Sequence, residues 1–550
     1  MSTFLATWVG LGDEAHLAVT VAGDAAEAAS RLTESLVADR VASRIANGDH
    51  TVWGPGAERD ASVRLGWVTL PKSSRKLIED LENLYADTRA EGITRVVLAG
   101  MGGSSLGPEV ICATYGVPLV TLDSTDPDQV RAALTGNLES TLLVVSSKSG
   151  GTVETDSQRR VFEAAFEESG VDPRKHIVVV TDPDSPLHRA AKLAGYRAVF
   201  LAEPHVGGRF SVLGGFGLVP SALAGVPVAE LLDEADAVAG SLAEDHPANP
   251  AIVLGAAMAG SPRHTLVFSD HHSGLVGFAD WAEQLIAEST GKNGVGVLPV
   301  VADIDAPDAA ADGVLDTRLV TLDFDGEPEG HAIWVAGTLG GQFLLWEYAT
   351  AIAGRLLGIN PFDQPNVESA KTAARALLDS LPQPERPAFV DGGIEVRGSA
   401  GLLDSATTLE DAIGAIRSAV PADGYLAVMA YLNRESLPHL PRVRSALAAA
   451  IGRPVTFGWG PRFLHSTGQL HKGGPPVGAF LQLTGTYADD MEIPGRPFTF
   501  GQLVAAQADG DARVLMEHGC PVLRLNAASM SDVARVTSAL GGSSSGQPPA

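Results

Sequence analysis

Residues 140–155 read STLLVVSSKSGGTVET, an unbroken apolar run that ends in hydroxyls, a lysine and two glycines. A short β-branched run bounded by turn residues reads as a buried strand, and the residues that follow begin a helix-like pattern. Strands buried on both faces belong to parallel sheets covered by crossover helices. The pattern recurs on either side of this stretch, in ITRVVLAG (93–100), VPLVTLD (117–123), KHIVVVTD (175–182) and YRAVFLAE (196–203), with amphipathic segments between them. The expected fold class is therefore α/β with a parallel sheet.

A second unit of the same kind begins near RHTLVFSD (263–270) and continues through GVGVLPVVAD (294–303) to a long apolar helix, GTLGGQFLLWEYATAIAGRLLG (337–358). PQPERPAFVDGGIEVRGSA (382–400) is rich in proline, glycine and charge and reads as a linker. Beyond it, DGYLAVMAYL, RPVTFGWG, VGAFLQLTG and CPVLRLN predict a further α/β segment. Residues 24–47 have helical spacing with Asp24 as cap, so the N-terminal region is expected to be helical. The expected organisation is a helical region over 1–75, α/β domains over 76–245 and 246–395, an α/β segment over 396–540 and a disordered tail over 541–550.

A chain of 550 residues with 45% hydrophobic content has material for about three or four units. No run has the apolar length of a membrane span, and MSTFLATWVGLGDEAHLAVT lacks the basic start of a signal peptide, so a soluble, cytoplasmic protein is expected. A formal charge of −27 with no basic stretch argues against nucleic-acid or anionic-membrane partners. The two cysteines, Cys112 and Cys520, have no metal-like spacing and read as buried thiols. Asp270, His271 and His272 in SDHHSG are adjacent in sequence, and adjacent side chains seldom converge on one ion. No metal or cofactor is expected.

Two glycine- and serine-rich loops follow neighbouring strands: LAGMGGSSLGPEV (98–110) and SSKSGGTVET (146–155). Ligands of open parallel sheets bind beyond the carboxyl ends of strands, where glycines admit backbone N–H groups to an anion and helix N-termini favour negative charge. Ser104, Ser147, Ser149 and Thr152 supply hydroxyl donors, although each alone could merely cap a helix. A dinucleotide fingerprint fails because Gly100 and Gly102 are followed by Ser105 rather than glycine, even though Asp123 stands where a ribose-binding acid would. A nucleotide P-loop fails at Gly291, Lys292 and Asn293.

Further along, Arg209 in HVGGRFSVLGGFG keeps its charge near neutral pH and suits an oxyanion, or a structural ion pair. WAEQLIAESTGKNG places Gln284 and Glu288 on one helix face. Glu288 is a candidate general base, Glu283 its alternative, and solvent exposure the ordinary fate of either. INPFDQPNVESAK presents Gln364 and Lys371 on nearly one side of a helix start. In FLHSTGQLHKGG, His465 can exchange a proton near neutral pH, while His471 and Lys472 read as solvated neighbours.

Taken in order, GMGGSSLG, SSKSGGTVET, GGRFS, AESTGK and FDQPNVESAK resemble the glucose-6-phosphate isomerase family over roughly residues 95–371. GPRFLHSTGQLHKGG makes the chain most similar to the isomerase part of bacterial transaldolase and glucose-6-phosphate isomerase fusions. The span before residue 93 has no room for a transaldolase barrel, so the isomerase part alone is expected. The resemblance implies two sugar isomerase (SIS) domains plus the C-terminal α/β segment. It implies that Gly103, Ser104, Ser147, Lys148, Ser149 and Thr152 surround a substrate phosphate and that Gln284, Gln364 and Lys371 line the sugar. It also implies that Arg209 faces an enediolate, Glu288 moves the proton between carbons, and His465 with Lys371 opens the ring.

The implied reaction interconverts glucose 6-phosphate and fructose 6-phosphate without a cofactor, in glycolysis and gluconeogenesis. A non-catalytic sugar-phosphate-binding regulator, or an isomerase that also accepts mannose 6-phosphate, is the alternative. In many family members the histidine precedes the lysine motif and crosses a dimer; here it follows Lys371, so a homodimer is a weaker expectation.

Overall fold

The computed structural model describes residues 4–11, 14–260, 265–309, 317–323, 332–366, 372, 378 and 385–541. Three sheets organise them. At the N-terminus, β1 (Phe4–Leu11) and β2 (Glu14–Ala22) form an antiparallel pair. The first parallel sheet comprises β3 (Arg95–Gly100), β4 (Val120–Leu122), β5 (Thr141–Ser146), β6 (Ile177–Thr181) and β7 (Ala198–Leu201), in the order β4-β3-β5-β6-β7. Every residue of β5 and β6 is buried, which is why both are continuous apolar runs rather than alternating ones.

The second sheet contains β8 (Thr265–Asp270), β9 (Leu298–Ala302), β10 (Thr317–Leu322) and β11 (Ile333–Gly337), all parallel. β2 joins it antiparallel to β11, giving the order β1-β2-β11-β10-β8-β9. The expected helical N-terminal region is therefore corrected over residues 4–22. Leu17, Val19 and Val21 alternate inward with no exposed surface, a period of two that a reading based on residues 24–47 overlooks. The helix itself spans Gly23–Ala38 with Ala22, not Asp24, at the N-cap; the Asp24 carboxylate lies 3.8 Å from Arg318.

The third sheet has β12 (Phe389–Asp391), β13 (Ile394–Gly398), β14 (Tyr425–Tyr431), β15 (Val455–Trp459), β16 (Gly478–Gly485) and β17 (Val522–Ala527), in the order β12-β13-β17-β16-β14-β15. Its last four strands in that order are parallel, and β12 and β13 close one edge antiparallel. The linker expected over 382–400 thus contains a hairpin whose two-residue turn is Gly392-Gly393, with Gly392 at φ +62°. Glycine pairs are turn residues for tight hairpins, so the composition that suggests a linker serves a strand pair instead. The tail beyond residue 541 lies outside the described residues.

Packing ties the sheets together. One hydrophobic cluster runs from the first sheet, through Val96 and Leu98, to the second, through Phe268 and Val335. A helix from the C-terminal segment, Phe500–Glu517, lays Phe500, Leu503 and Ala506 against the other face of the first sheet, near Val97 and Val145. A further cluster joins Val267 and Val300 of the second sheet to Ala427 and Met429 of the third. The C-terminal segment therefore packs against both other sheets. No helix among the described residues is long and apolar enough to cross a membrane.

His471 and Lys472 are not solvated. Both are 7% exposed, and Lys472 forms an ion pair with Asp511, which has no exposed surface. Burial, reinforced by the neighbouring ammonium, pushes His471 down to about 3 and keeps its ring neutral. Removing one member of a buried ion pair strands the other charge. Lys472→Met is expected to destabilise the fold by about 3–5 kcal/mol, read as a lower urea midpoint. The double variant Lys472→Met/Asp511→Leu is expected to recover most of that loss. A single variant as stable as the parent would show that Asp511 carries no charge there.

Candidate active site

The loops after β3 and β5 open at the carboxyl ends of adjacent strands, as a ligand site in a parallel sheet requires. After β3 the chain makes a single turn at Gly102–Ser104. A Cβ on Gly103 would lie 2.1 Å from the carbonyl oxygen of Gly208, so this glycine lets the loop press against the segment that carries Arg209. At Gly102, which has φ +56°, a Cβ would meet the amide of Gln284 at 2.7 Å and the carbonyl of His465 at 2.9 Å. Two consecutive glycines thus bring four separated segments into contact.

The loop after β5 is held by its own hydroxyls. Ser147 and Thr152 are bonded through their Oγ atoms at 3.1 Å, Gly150 N donates to Ser147 Oγ at 3.2 Å, and Gly151 N donates to Ser149 Oγ at 3.2 Å. Thr152 stands at the N-terminus of the Val153–Glu168 helix without making a capping bond, which leaves its hydroxyl beside the positive helix end. Lys148 is different: its ammonium donates to both carboxylate oxygens of Asp182, at 2.7 and 3.0 Å, and to the Pro204 carbonyl. That charge braces the loop from outside.

Arg209 is 5% exposed and its donors are divided among four partners. Nε donates to Ser289 Oγ at 2.8 Å, Nη2 to the carbonyls of Pro361 (2.6 Å) and Asp363 (2.9 Å), and Nη1 to Gln364 Oε1 at 3.4 Å. The same Nη1 lies 3.3 Å from Glu288 Oε1. Glu288 and Gln284 sit one turn apart on the Phe278–Thr290 helix, where Gln284 Nε2 reaches Glu288 Oε2 at 3.2 Å and the His465 carbonyl at 2.7 Å. Glu283, the other candidate base, points elsewhere. It lines a separate cavity of about 280 Å³ with Asp303, Arg444 and Arg462. Burial and nearby Asp280 raise its carboxyl well above the usual range.

His465 ends the turn Arg462–His465 that follows β15, and its Nε2 lies 3.1 Å from Glu154 Oε1. Gln507, on the Phe500–Glu517 helix, donates to the same Glu154 oxygen at 2.7 Å and accepts from Thr125 Oγ1 at 2.7 Å. A histidine supplied by the third sheet therefore meets a carboxylate supplied by the first within one chain. Lys371 lies outside the described residues.

Reading the sequence misses three groups. Glu154 lies inside the quoted stretch but acquires a partner only through the fold. Gln507 carries no motif. Lys292, which argues against a P-loop, is 1% exposed and donates to the carbonyls of Asn360 (2.6 Å) and Asp363 (2.5 Å), with Asp363 Oδ1 at 2.7 Å. Burial and adjacent Arg209 push its ammonium down to about 7. Its position after the Glu288 turn is the available signal.

The arrangement holds a buried carboxylate against a guanidinium, a carboxylate-bound imidazole nearby, and hydroxyl- and amide-rich loops at strand ends. Such a set suits proton transfer next to a developing oxyanion. Comparison with known proteins agrees. The family model described as Phosphoglucose isomerase matches residues 67–297. A glucose-6-phosphate isomerase of Rubrobacter xylanophilus is 31% identical over 389 residues, covering 57% of this chain and 89% of that protein. A probable glucose-6-phosphate isomerase of Methanococcus maripaludis is 28% identical over 378 residues, covering 58% and 86%. Among solved structures, a hypothetical protein of Thermus thermophilus superposes with a TM-score of 0.54 at 26% identity, covering 64% of this chain and 96% of that one. A glucose-6-phosphate isomerase of Chlamydia trachomatis shares the fold, with a TM-score of 0.53 at 18% identity over 66% of this chain and 89% of that one. With β3–β7 and β8–β11 as its two sugar isomerase sheets and Arg209, Gln284 and Glu288 gathered between them, this chain belongs to the glucose-6-phosphate isomerase family.

Proposed function

We propose that the chain interconverts glucose 6-phosphate and fructose 6-phosphate, with Glu288 as the group that carries the proton between C2 and C1. The observation that carries this reading is the buried Glu288 carboxylate 3.3 Å from the Arg209 guanidinium, steadied by the Gln284 amide. The substrate phosphate is assigned to the loops at Gly103, Ser104, Ser147, Ser149 and Thr152, whose uncharged donors avoid burying several cations. Lys148 contributes through its loop, since its ammonium is bound to Asp182. Gln364 and Lys371 are assigned to the sugar.

The steps follow from those positions. With the Glu154 carboxylate as acceptor, His465 donates through Nε2, which leaves Nδ1 as the ring nitrogen that can exchange a proton with the sugar. His465, with Lys371, moves a proton between O1 and the ring oxygen O5 to open the hexose. Glu288 then takes the C2 proton, Arg209 stabilises the negative charge on the cis-enediolate, and the protonated glutamate returns the proton to C1. One carboxylate serves as base and then as acid, so the reaction is proton-neutral overall. Anchoring the phosphate at the strand ends positions C1 and C2 against that carboxylate.

In a coupled assay of fructose 6-phosphate turnover, Glu288→Gln is expected to lower kcat by about 10²–10⁴-fold, the range for general acid–base catalysis, with KM little changed. Activity retained in that variant would remove Glu288 as the proton carrier. A parent chain that binds fructose 6-phosphate without turning it over would favour a sugar-phosphate-binding regulator. His465→Ala is expected to slow the cyclic substrate more than the open-chain form; equal losses on both would reject its ring-opening role. Because His465 reaches Glu154 within its own chain, specific activity should stay constant as the protein is diluted. A fall on dilution, accompanied by dissociation in sedimentation, would mean that a second copy completes the site.

A further inference from the structure

The third sheet contains a crevice of the kind that binds ligands in open α/β folds, lined by none of the residues assigned to catalysis. The connection leaving β14 runs to β15 on one side, through the Val443–Ile451 helix, whereas the connection leaving β16 runs to β17 on the other, through the Phe500–Glu517 helix. The two helices cover opposite faces: Val443 and Leu447 pack with Leu426 and Val428, while Val504 and Ala508 pack with Ala427 and Met429. β14 and β16 therefore flank a topological switch point, where a crevice opens beyond the carboxyl ends of the strands. A cavity of about 460 Å³ occupies that place, within the usual range of about 300–1,000 Å³ for small-molecule sites.

Its polar groups describe the ligand. Tyr431, the last residue of β14, lines the cavity at 1% exposure, and its hydroxyl has no hydrogen-bond partner among the described residues. A buried hydroxyl without a partner loses free energy that a ligand hydroxyl would restore. Thr484, the register partner of Tyr431 on β16, and Thr486 bring their Oγ atoms to the Asn526 amide at 2.9 and 3.3 Å.

The charges are already matched internally. Arg397 donates to Glu395 at 2.8 Å and to the Glu385 carbonyl at 2.9 Å. Arg524 is bound to Asp509 and to Gln482, with Glu385 at 3.6 Å. The N-terminus of the Phe500–Glu517 helix is taken up by Asp490, which accepts from Gly501 N at 2.8 Å, and by the Thr499–Gln502 capping box. With both guanidiniums paired, the helix amides occupied and carboxylates outnumbering cations, the cavity has no receptor for a phosphate among the described residues.

We propose that this crevice is a second small-molecule site, for an uncharged polyhydroxylated ligand of one or two sugar rings, separate from the sugar-phosphate site. Hydroxyls can both donate to the paired carboxylates and accept from the amide and hydroxyl groups of the wall.

The test uses the full chain with its catalytic site saturated by an equilibrated mixture of glucose 6-phosphate and fructose 6-phosphate. Saturation-transfer NMR and calorimetry are run with glucose, maltose and glucosamine. Saturable binding of glucose or maltose is expected to persist under those conditions. Tyr431→Phe, which removes an unpartnered hydroxyl and so leaves the fold intact, should weaken it by about three- to tenfold. Ala505→Trp, placed on the exposed face of the helix that walls the cavity, should abolish it without changing isomerase turnover. The proposal is overturned if neither uncharged sugar binds, if glucosamine alone binds, if sugar phosphate displaces the bound sugar, or if neither variant alters the affinity.

Discussion

Everything in the site converges on the hydrogen bonds of Arg209. A guanidinium removed from water must have its donors satisfied, and this one is bound to a hydroxyl, two carbonyls and an amide oxygen while it faces the Glu288 carboxylate. Those partners come from the Phe278–Thr290 helix and from the Asn360–Gln364 segment. One cation thereby fixes both the carboxylate proposed as the base and the residue assigned to the sugar. Lys292 repeats the arrangement on the same segment, donating to the carbonyls of Asn360 and Asp363, the latter shared with Arg209. Two buried cations on one short segment prevent it from moving independently of Glu288.

The third sheet is as much a part of the site as the other two. Its β15 turn brings His465 to Glu154, and its long helix brings Gln507 to the same carboxylate. The Gln284 amide joins the His465 carbonyl to Glu288, so the groups assigned to ring opening and to proton transfer share one hydrogen-bonded chain. Apolar packing makes this placement rigid, because the C-terminal segment shares one cluster with the first sheet, through its long helix, and another with the second. The close approach at Gly102 and Gly103 permits it, since no residue with a Cβ would leave room for both the Gln284 amide and the Gly208 carbonyl.

The parallel sheets are legible in the sequence because their strands are buried on both faces and therefore read as continuous β-branched runs. STLLVV and KHIVVV admit few other interpretations. The N-terminal strands escape such a reading because the adjacent helix from Gly23 has the stronger pattern, and the β1–β2 pair joins its sheet only through β11, far along the chain. The hairpin at Gly392-Gly393 reads as a linker because proline, glycine and charge serve both purposes. Lys148 illustrates the same ambiguity at a single residue. A lysine in a phosphate-suited loop suggests an anion ligand, yet its ammonium is committed to Asp182.

Composition, periodicity and motif order alone determined the α/β class, the strand-end loops, and the identity of Arg209, Gln284 and Glu288 as candidates, because those signals are local. Only the tertiary structure separates Glu283 from Glu288 on their shared helix, setting Glu288 against Arg209 and Glu283 in a different cavity. It likewise decided that His465 pairs with Glu154 inside one chain and that Lys292 is buried beside Arg209. The physical reason is common to all three. The partner that defines each role is supplied by a distant segment, and burial, which sets the strength of the interaction, exists only after the sheets have packed.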